Sequence, residues 1–138
     1  MKCLFCYQEL HDGEQHYHAA CAKRFFGSPV IPSMPYSQAD IRELAKQVVR
    51  SHTTVTGVQA KLSMDIERTN QISRLTIVDQ GGKYILKPQT PQYPYLPEIE
   101  DLTMHLAQSV KIDVVPHALL RFDSGELCYL TRRIDRDK

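Results

Sequence analysis

The chain has 138 residues, of which 42% are hydrophobic and 24% charged, and its formal net charge is +1. This size and balance are typical of one globular domain with a small appendage. The apolar runs are only a few residues long, which excludes a membrane span, and no apolar segment follows Lys2, so we expect no signal peptide. The near-zero charge argues against direct binding of nucleic acid over a broad surface.

Three of the four cysteines lie near the N-terminus, in a segment that also contains histidines. They form a C-x-x-C pair and, after eleven intervening residues, an H-x-x-C pair with the following members: Cys3, Cys6, His18 and Cys21. Four nitrogen and sulfur ligands in so short a span are what tetrahedral structural zinc requires. Residues 1–27 are therefore predicted to be a zinc-knuckle-like segment, in which His16 is an alternative to His18. The same cysteine usage favours the reducing cytoplasm.

A helix is predicted after this segment and a connector. Residues 28–36 contain three prolines, which is typical of an extended linker. Ser37 then has the position of a helix cap, and Asp40 that of an acidic residue in the first turn. The apolar residues that follow have the spacing of one buried helix face: Ile41, Leu44, Ala45, Val48 and Val49. We assign this helix to core packing.

From Leu62 onwards the hydrophobic pattern changes to the period of two that is typical of strands. Three strands are predicted, at residues 62–66, 72–78 and 83–87, and we expect them to form an antiparallel meander. On the third strand Lys87 shares a face with Ile85, and Pro88 ends the strand because proline has no N–H to donate.

A second helix is predicted to begin at Pro97, since proline suits the first helical turn. Its buried stripe is expected to contain Ile99, Leu102, Leu106, Ala107 and Val110. Glu98 and Glu100 lie at opposite edges of this stripe, from where a glutamate can reach a lysine on a strand. Residues 118–122 and 126–131 are predicted to form a closing hairpin.

A loop rich in hydroxyl groups, with one glycine, separates the first helix from the first strand. It covers residues 53–59 and matches neither the G-x-G-x-x-G nor the Walker A pattern. Hydroxyl and backbone N–H groups can hold phosphate oxygens, and a lysine such as Lys87 on a neighbouring strand can neutralise their charge. The loop and the lysine together indicate a nucleotide-phosphate site.

Four blocks of the sequence resemble the N-terminal lobe of HipA-type toxin kinases in their order and spacing. They read TVTGVQAKL at 54–62, YILKP at 84–88, LPEIEDLTM at 96–104 and YLTRRIDR at 129–136. The segment that ends at residues 23–27 also resembles the start of some short HipA-like proteins. The family comprises bacterial serine/threonine protein kinases. The resemblance implies an α+β fold over residues 37–138, a kinase-like N-terminal lobe with an antiparallel sheet and two packed helices.

The resemblance also implies roles for individual residues in binding ATP. The phosphate loop would consist of Thr54, Val55, Thr56, Gly57, Val58 and Gln59. Lys87 would contact the ATP phosphates, and Glu100, or alternatively Glu98, would orient it. Leu130 and Arg132 would lie where the two lobes meet and the adenine stacks. Some members autophosphorylate a serine of this loop, and Thr54 and Thr56 occupy the hydroxyl positions here.

Partners and cofactors are implied in the same way. Characterised members phosphorylate aminoacyl-tRNA synthetases and are held in check by a helix-turn-helix antitoxin. Their catalytic aspartate and Mg²⁺ ligands lie in a C-terminal lobe, so we expect these 138 residues alone, as a truncated or split kinase, to be inactive. A small separate subunit is expected to supply a further N-terminal subdomain. The alternative hypothesis is a non-catalytic, zinc-stabilised module that binds another protein.

Overall fold

The computed structural model describes residues 1–51, 61–69, 72–78, 82–91 and 93–134, without the side chains of residues 45 and 48–51. These ranges contain three helices, α1 (Ala19–Phe26), α2 (Gln38–Ser51) and α3 (Leu96–Ser109). They contain five strands, β1 (Leu62–Thr69), β2 (Ile72–Ile77), β3 (Tyr84–Lys87), β4 (His117–Arg121) and β5 (Leu127–Arg132). The predicted α+β class is confirmed. No helix in the described ranges has both the length and the apolar character needed to cross a membrane.

The five strands form one antiparallel sheet in the order β2-β1-β3-β5-β4. The third strand pairs with β1 and not with β2, so the predicted meander is wrong. In this register Leu62 lies opposite Leu86, and Met64 lies opposite Tyr84. All four side chains are buried, which stabilises this pairing. A period-two pattern predicts which face of a strand is buried, but it does not identify the partner strand.

Segments from the N-terminal part of the chain cover both edges of the sheet. The proline-rich connector lies along β2, where Ser33 N–H donates to the Ser73 carbonyl at 3.0 Å and Leu75 N–H donates to the Ser33 carbonyl at 2.9 Å. At the opposite edge, Leu119 N–H of β4 donates to the Leu4 carbonyl at 3.1 Å. Edge strands otherwise present unpaired backbone groups, so these contacts protect the sheet.

Helix α1 packs on the sheet through aromatic side chains. Phe25 is fully buried, its ring centroid lies 5.6 Å from that of Tyr84, and the Tyr84 hydroxyl donates to the Phe25 carbonyl at 3.0 Å. The Tyr17 hydroxyl donates to the Leu119 carbonyl at 2.6 Å. The helix ends at Gly27, with a φ of 83° that favours glycine. The Cys/His segment and the sheet therefore share one hydrophobic cluster.

The start of α2 confirms the predicted cap. Asp40 N–H donates to Ser37 Oγ at 3.1 Å, and Ser37 N–H donates to Asp40 Oδ2 at 3.0 Å. These reciprocal bonds satisfy two backbone donors at the helix start. Ile41 is fully buried and Leu44 packs against the core, as expected. The predicted positions Ala45, Val48 and Val49 lie outside the described side chains.

Helix α3 does not bury the apolar stripe that its sequence predicts, and that prediction is wrong. Four members of the stripe are between 49% and 65% exposed: Ile99, Leu102, Leu106 and Val110. The helix instead buries Asp101. Its carboxylate is fully buried and accepts hydrogen bonds from the Tyr7 hydroxyl and from His117 Nδ1. A buried carboxylate needs such partners, and they fix the rotation of the helix about its axis.

We predict that Phe25→Ala lowers the free energy of unfolding by about 3–5 kcal/mol, because it leaves a cavity between α1 and the sheet. Urea denaturation measures this change. Ile72→Ala on the edge strand is the control, since Ile72 is 65% exposed, and its effect should stay within about 0.5 kcal/mol. Equal effects of the two substitutions would contradict the packing of α1 on the sheet.

Candidate functional site

A cleft of about 430 Å³ lies between one face of the sheet and α3. Its lining includes residues of three elements: Ile85 and Lys87 of β3, Tyr129 and Thr131 of β5, and Glu100 and Met104 of α3. Alternate residues of each strand face the cleft, while Tyr84 and Leu86 of β3 are buried in the core on the other face. The predicted facing of Lys87 and Ile85 is therefore confirmed.

Lys87 and Glu100 form an ion pair inside this cleft. Lys87 Nζ donates to Glu100 Oε2 at 3.0 Å, and the two side chains are 30% and 24% exposed. The ammonium group also lies 5.9 Å from the centroid of the Tyr129 ring, within range of a cation–π interaction. Glu98 instead accepts a hydrogen bond from Gln89 Nε2 at 2.7 Å. Of the two glutamates that the sequence left open, the structure thus pairs Glu100 with Lys87.

Two polar atoms of cleft-lining side chains have no hydrogen-bond partner among the described residues. They are Glu100 Oε1 and the Tyr129 hydroxyl, both of which are buried. Burial, together with the nearby Asp101 and Glu100 carboxylates, raises the pKa of Tyr129, so its hydroxyl keeps a proton to donate. Buried polar atoms are normally bonded, and a polar ligand or water in the cleft would supply the missing partners.

Leu130 and Arg132 are not brought to the cleft. The Leu130 side chain is fully buried in the hydrophobic cluster. Arg132 Nη1 donates to the Arg24 carbonyl at 3.2 Å, on the side of the N-terminal segment. The cleft receives their neighbours Tyr129 and Thr131 instead. The alternation of β5 could have indicated these two residues, had the inward face of the strand been known.

The predicted phosphate loop, residues 54–59, lies outside the described residues, and so do its two threonines. Lys61, two positions after the loop, lines the cleft. Lys61 is a second lysine of the site, and it is not among the residues that the sequence predicts. Its place next to the loop and before an alternating strand was the signal for it.

The four predicted metal ligands lie together at the N-terminus. The ligand atoms of Cys3, Cys6, His18 and Cys21 lie within 4.8 Å of one another. His18 Nδ1 is 3.4 Å from Cys6 Sγ and 3.6 Å from Cys21 Sγ. His18 Nε2 donates to the Glu9 carbonyl at 2.7 Å, so in the neutral ring Nδ1 is the nitrogen that is free to bind a metal. His16 does not belong to this group in the described part of the chain.

The pKa values of two thiols in this group are shifted in opposite directions. Burial acts to raise the pKa of Cys3, but hydrogen bonds from the backbone of Cys6, His18 and Phe5 outweigh it and leave the pKa below its usual value. Burial and the neighbouring Cys6 and Cys3 thiols raise the pKa of Cys21 to about 12. Zinc binds thiolates, and its charge would allow all three thiols to ionise together. The group is therefore chemically suited to zinc.

We expect Cys21→Ser and His18→Asn each to remove one equivalent of zinc relative to the unmodified protein, because each deletes one of four ligands. Inductively coupled plasma mass spectrometry of protein purified under reducing conditions measures the content. His16→Asn is the matched control, since asparagine tolerates the φ of 68° at this position. Loss of zinc from His16→Asn together with retention by His18→Asn would reverse the assignment.

Comparisons with known proteins identify the family of the chain. Residues 53–138 match the family model of the HipA-like C-terminal domain. Over 111 residues the chain is 32% identical to a protein of Haemophilus influenzae named "Putative kinase", and the match covers 78% of this chain and 31% of that protein. The chain thus spans about a third of the length of this relative. From the family match and this identity, we conclude that the chain belongs to the HipA-like C-terminal domain family.

Proposed function

We propose that this chain is the ATP-binding part of a HipA-family serine/threonine protein kinase. The observation that carries the proposal is the Lys87–Glu100 ion pair, with 3.0 Å between Nζ and Oε2, in the cleft between the sheet and α3. In protein kinases a strand lysine that is paired with a helix glutamate contacts the phosphates of ATP. The kinase name of the relative supports the same class of reaction.

The chemistry of the cleft suits a nucleotide. Its volume of about 430 Å³ lies within the range of small-molecule sites, which is about 300–1,000 Å³. Lys87 and Lys61 supply positive charge for phosphate oxygens, and Ile85 and Met104 supply apolar surface. In this proposal Glu100 holds Lys87 in its extended position, and the Tyr129 hydroxyl donates to the ligand. The loop at residues 54–59 would bind the phosphates.

The described residues of the cleft do not supply the ligands that Mg²⁺ needs. Glu100 is the only carboxylate among the described residues that line the cleft, and Lys87 already neutralises it. These residues do not form a Mg²⁺ site, which needs several free oxygen ligands. We therefore assign the Mg²⁺ ligands and the catalytic aspartate to other parts of the kinase, and we propose that the 138 residues alone do not transfer phosphate.

The Cys/His group would hold a structural zinc ion. Protein ligands fill all four positions of a tetrahedral site, so no position is left for a reacting water. Zinc binding would stabilise a segment that has little core of its own. The segment also carries Tyr7, which donates to Asp101 beside Glu100. The zinc would therefore brace the helix that orients Lys87.

The family resemblance extends the proposal to a biological role. We propose a toxin kinase that a helix-turn-helix antitoxin holds in check and to which a small subunit supplies a further N-terminal subdomain. Its protein substrate would be one such as an aminoacyl-tRNA synthetase. Autophosphorylation of Thr54 or Thr56 would move the phosphate loop and silence the enzyme. We place this kinase in the cytoplasm, where its substrate and ATP are found.

A zinc-stabilised protein-interaction module without catalysis is the second candidate. The exposed apolar stripe of α3 favours it, because contiguous apolar surface often marks a binding site. Binding of ATP to the cleft distinguishes the two candidates, since only the kinase requires it.

We predict that Lys87→Ala in the full-length protein lowers ATP-dependent phosphorylation by about 100-fold or more, because it removes the cation that stabilises the transferring phosphoryl group. Radiolabel transfer from ATP measures the activity, and fluorescence titration with a labelled ATP analogue measures binding. Glu100→Gln should reduce activity less, since Lys87 remains but loses the charge that positions it.

Glu98→Gln is the matched control for both variants. Glu98 lies two positions before Glu100 on α3, yet it contacts Gln89 and not Lys87. Its activity should stay within about twofold of the unmodified protein, as for most substitutions away from a reacting centre. Full activity of Lys87→Ala, or equal losses in Glu98→Gln and Glu100→Gln, would reject the role of the pair.

A further inference from the structure

A second group of metal-ligating side chains lies outside the cleft and outside the Cys/His group. Asp101 and His105 are one helical turn apart on α3, and His117 begins β4. Their ligand atoms lie within 4.8 Å of one another. The Asp101 side chain is fully buried, and those of His117 and His105 are 3% and 22% exposed. Neither the sequence nor the family match assigns a function to these three residues.

One distance within this group is close to that between two ligands of one ion, and the other is that of a hydrogen bond. Two ligand atoms about 2.0–2.1 Å from a tetrahedral zinc ion are about 3.3 Å apart. His105 Nε2 lies 3.4 Å from Asp101 Oδ2, yet this buried nitrogen has no hydrogen-bond partner among the described residues. His117 Nδ1 donates to Asp101 Oδ1 at 2.7 Å, so a bound ion would displace that proton and move the two atoms apart. His105 Nε2 lies beside the other carboxylate oxygen without a hydrogen bond to it.

The outer nitrogen of His117 has an oxygen partner. His117 Nε2 lies 3.3 Å from Gln108 Oε1. Metal-binding histidines commonly donate their outer N–H to such an oxygen, which directs the other nitrogen to the ion. Burial, which outweighs the opposing influence of Asp101, lowers the pKa of His105 and favours the neutral ring that a metal binds.

A cavity of about 270 Å³ adjoins these residues and leaves room for further coordination. His105, His117, Gln108 and Cys6 are among its lining residues. Water from this cavity could complete a four-coordinate site beside three protein ligands. The hydrogen bond from Tyr7 to Asp101 is compatible with a metal bond, since a carboxylate offers about four lone-pair sites.

We propose that Asp101, His105 and His117 bind a second divalent transition-metal ion, for which zinc matches the two imidazoles and one carboxylate best. The ion would join α3 to β4 directly behind Glu100. Metal binding by these three residues does not depend on whether the cleft binds ATP.

Metal content of the full-length protein tests the proposal. The protein is equilibrated with zinc under reducing conditions, desalted and measured by inductively coupled plasma mass spectrometry. We expect about two zinc ions per chain in the unmodified protein and about one in His105→Ala, because a site with two remaining ligands binds weakly. His16→Asn is the control and should keep both ions. A single ion per chain that His105→Ala retains would overturn the proposal.

X-ray absorption at the zinc edge provides a second measurement that needs no variant. If both sites are filled, the average number of sulfur ligands per zinc is half of that expected for the Cys/His group alone. This measurement decides the question even if His105→Ala fails to fold. An average equal to the full sulfur complement of the Cys/His group would show that zinc does not bind at Asp101, and the proposal would be wrong.

Discussion

The buried carboxylate of Asp101 is the constraint on which the rest of the structure depends. It is fully buried, and an isolated charge in that position would be costly. Tyr7 from the N-terminal segment and His117 from β4 donate hydrogen bonds to it, so one side chain of α3 ties together three parts of the chain. Glu100 precedes Asp101 on the same helix. The rotation of α3 about its axis that allows Asp101 to accept these hydrogen bonds also directs Glu100 towards Lys87.

The N-terminal segment therefore does more than cover one edge of the sheet. Hydrogen bonds from Tyr17 to Leu119 and from Tyr84 to Phe25 fasten it to the strands, while Tyr7 fastens it to α3. The Cys/His group and the ion pair in the cleft are thus separated by a short series of direct contacts. This arrangement explains physically why a segment with little core of its own can contribute to the geometry of the cleft.

Local chemistry could be predicted from the sequence, but the pairing of the strands and the buried face of α3 could not. The Ser37 cap and the facing of Lys87 each depend on neighbours within a few positions. The pairing of β3 with β1 and the buried face of α3 depend on contacts that are distant in sequence, for which apolar periodicity contains no information. The spacing of Asp101 and His105 by four was a signal, but its third member, His117, becomes visible only in the fold.

The orientation of α3 has a further consequence for the behaviour of these residues in solution. Its outward ridge presents Ile99, Leu102, Leu106 and Val110 to water. The net charge of +1 supplies almost no long-range repulsion between molecules. This ridge would therefore promote self-association of these 138 residues, and the tendency would rise with salts that strengthen apolar contacts.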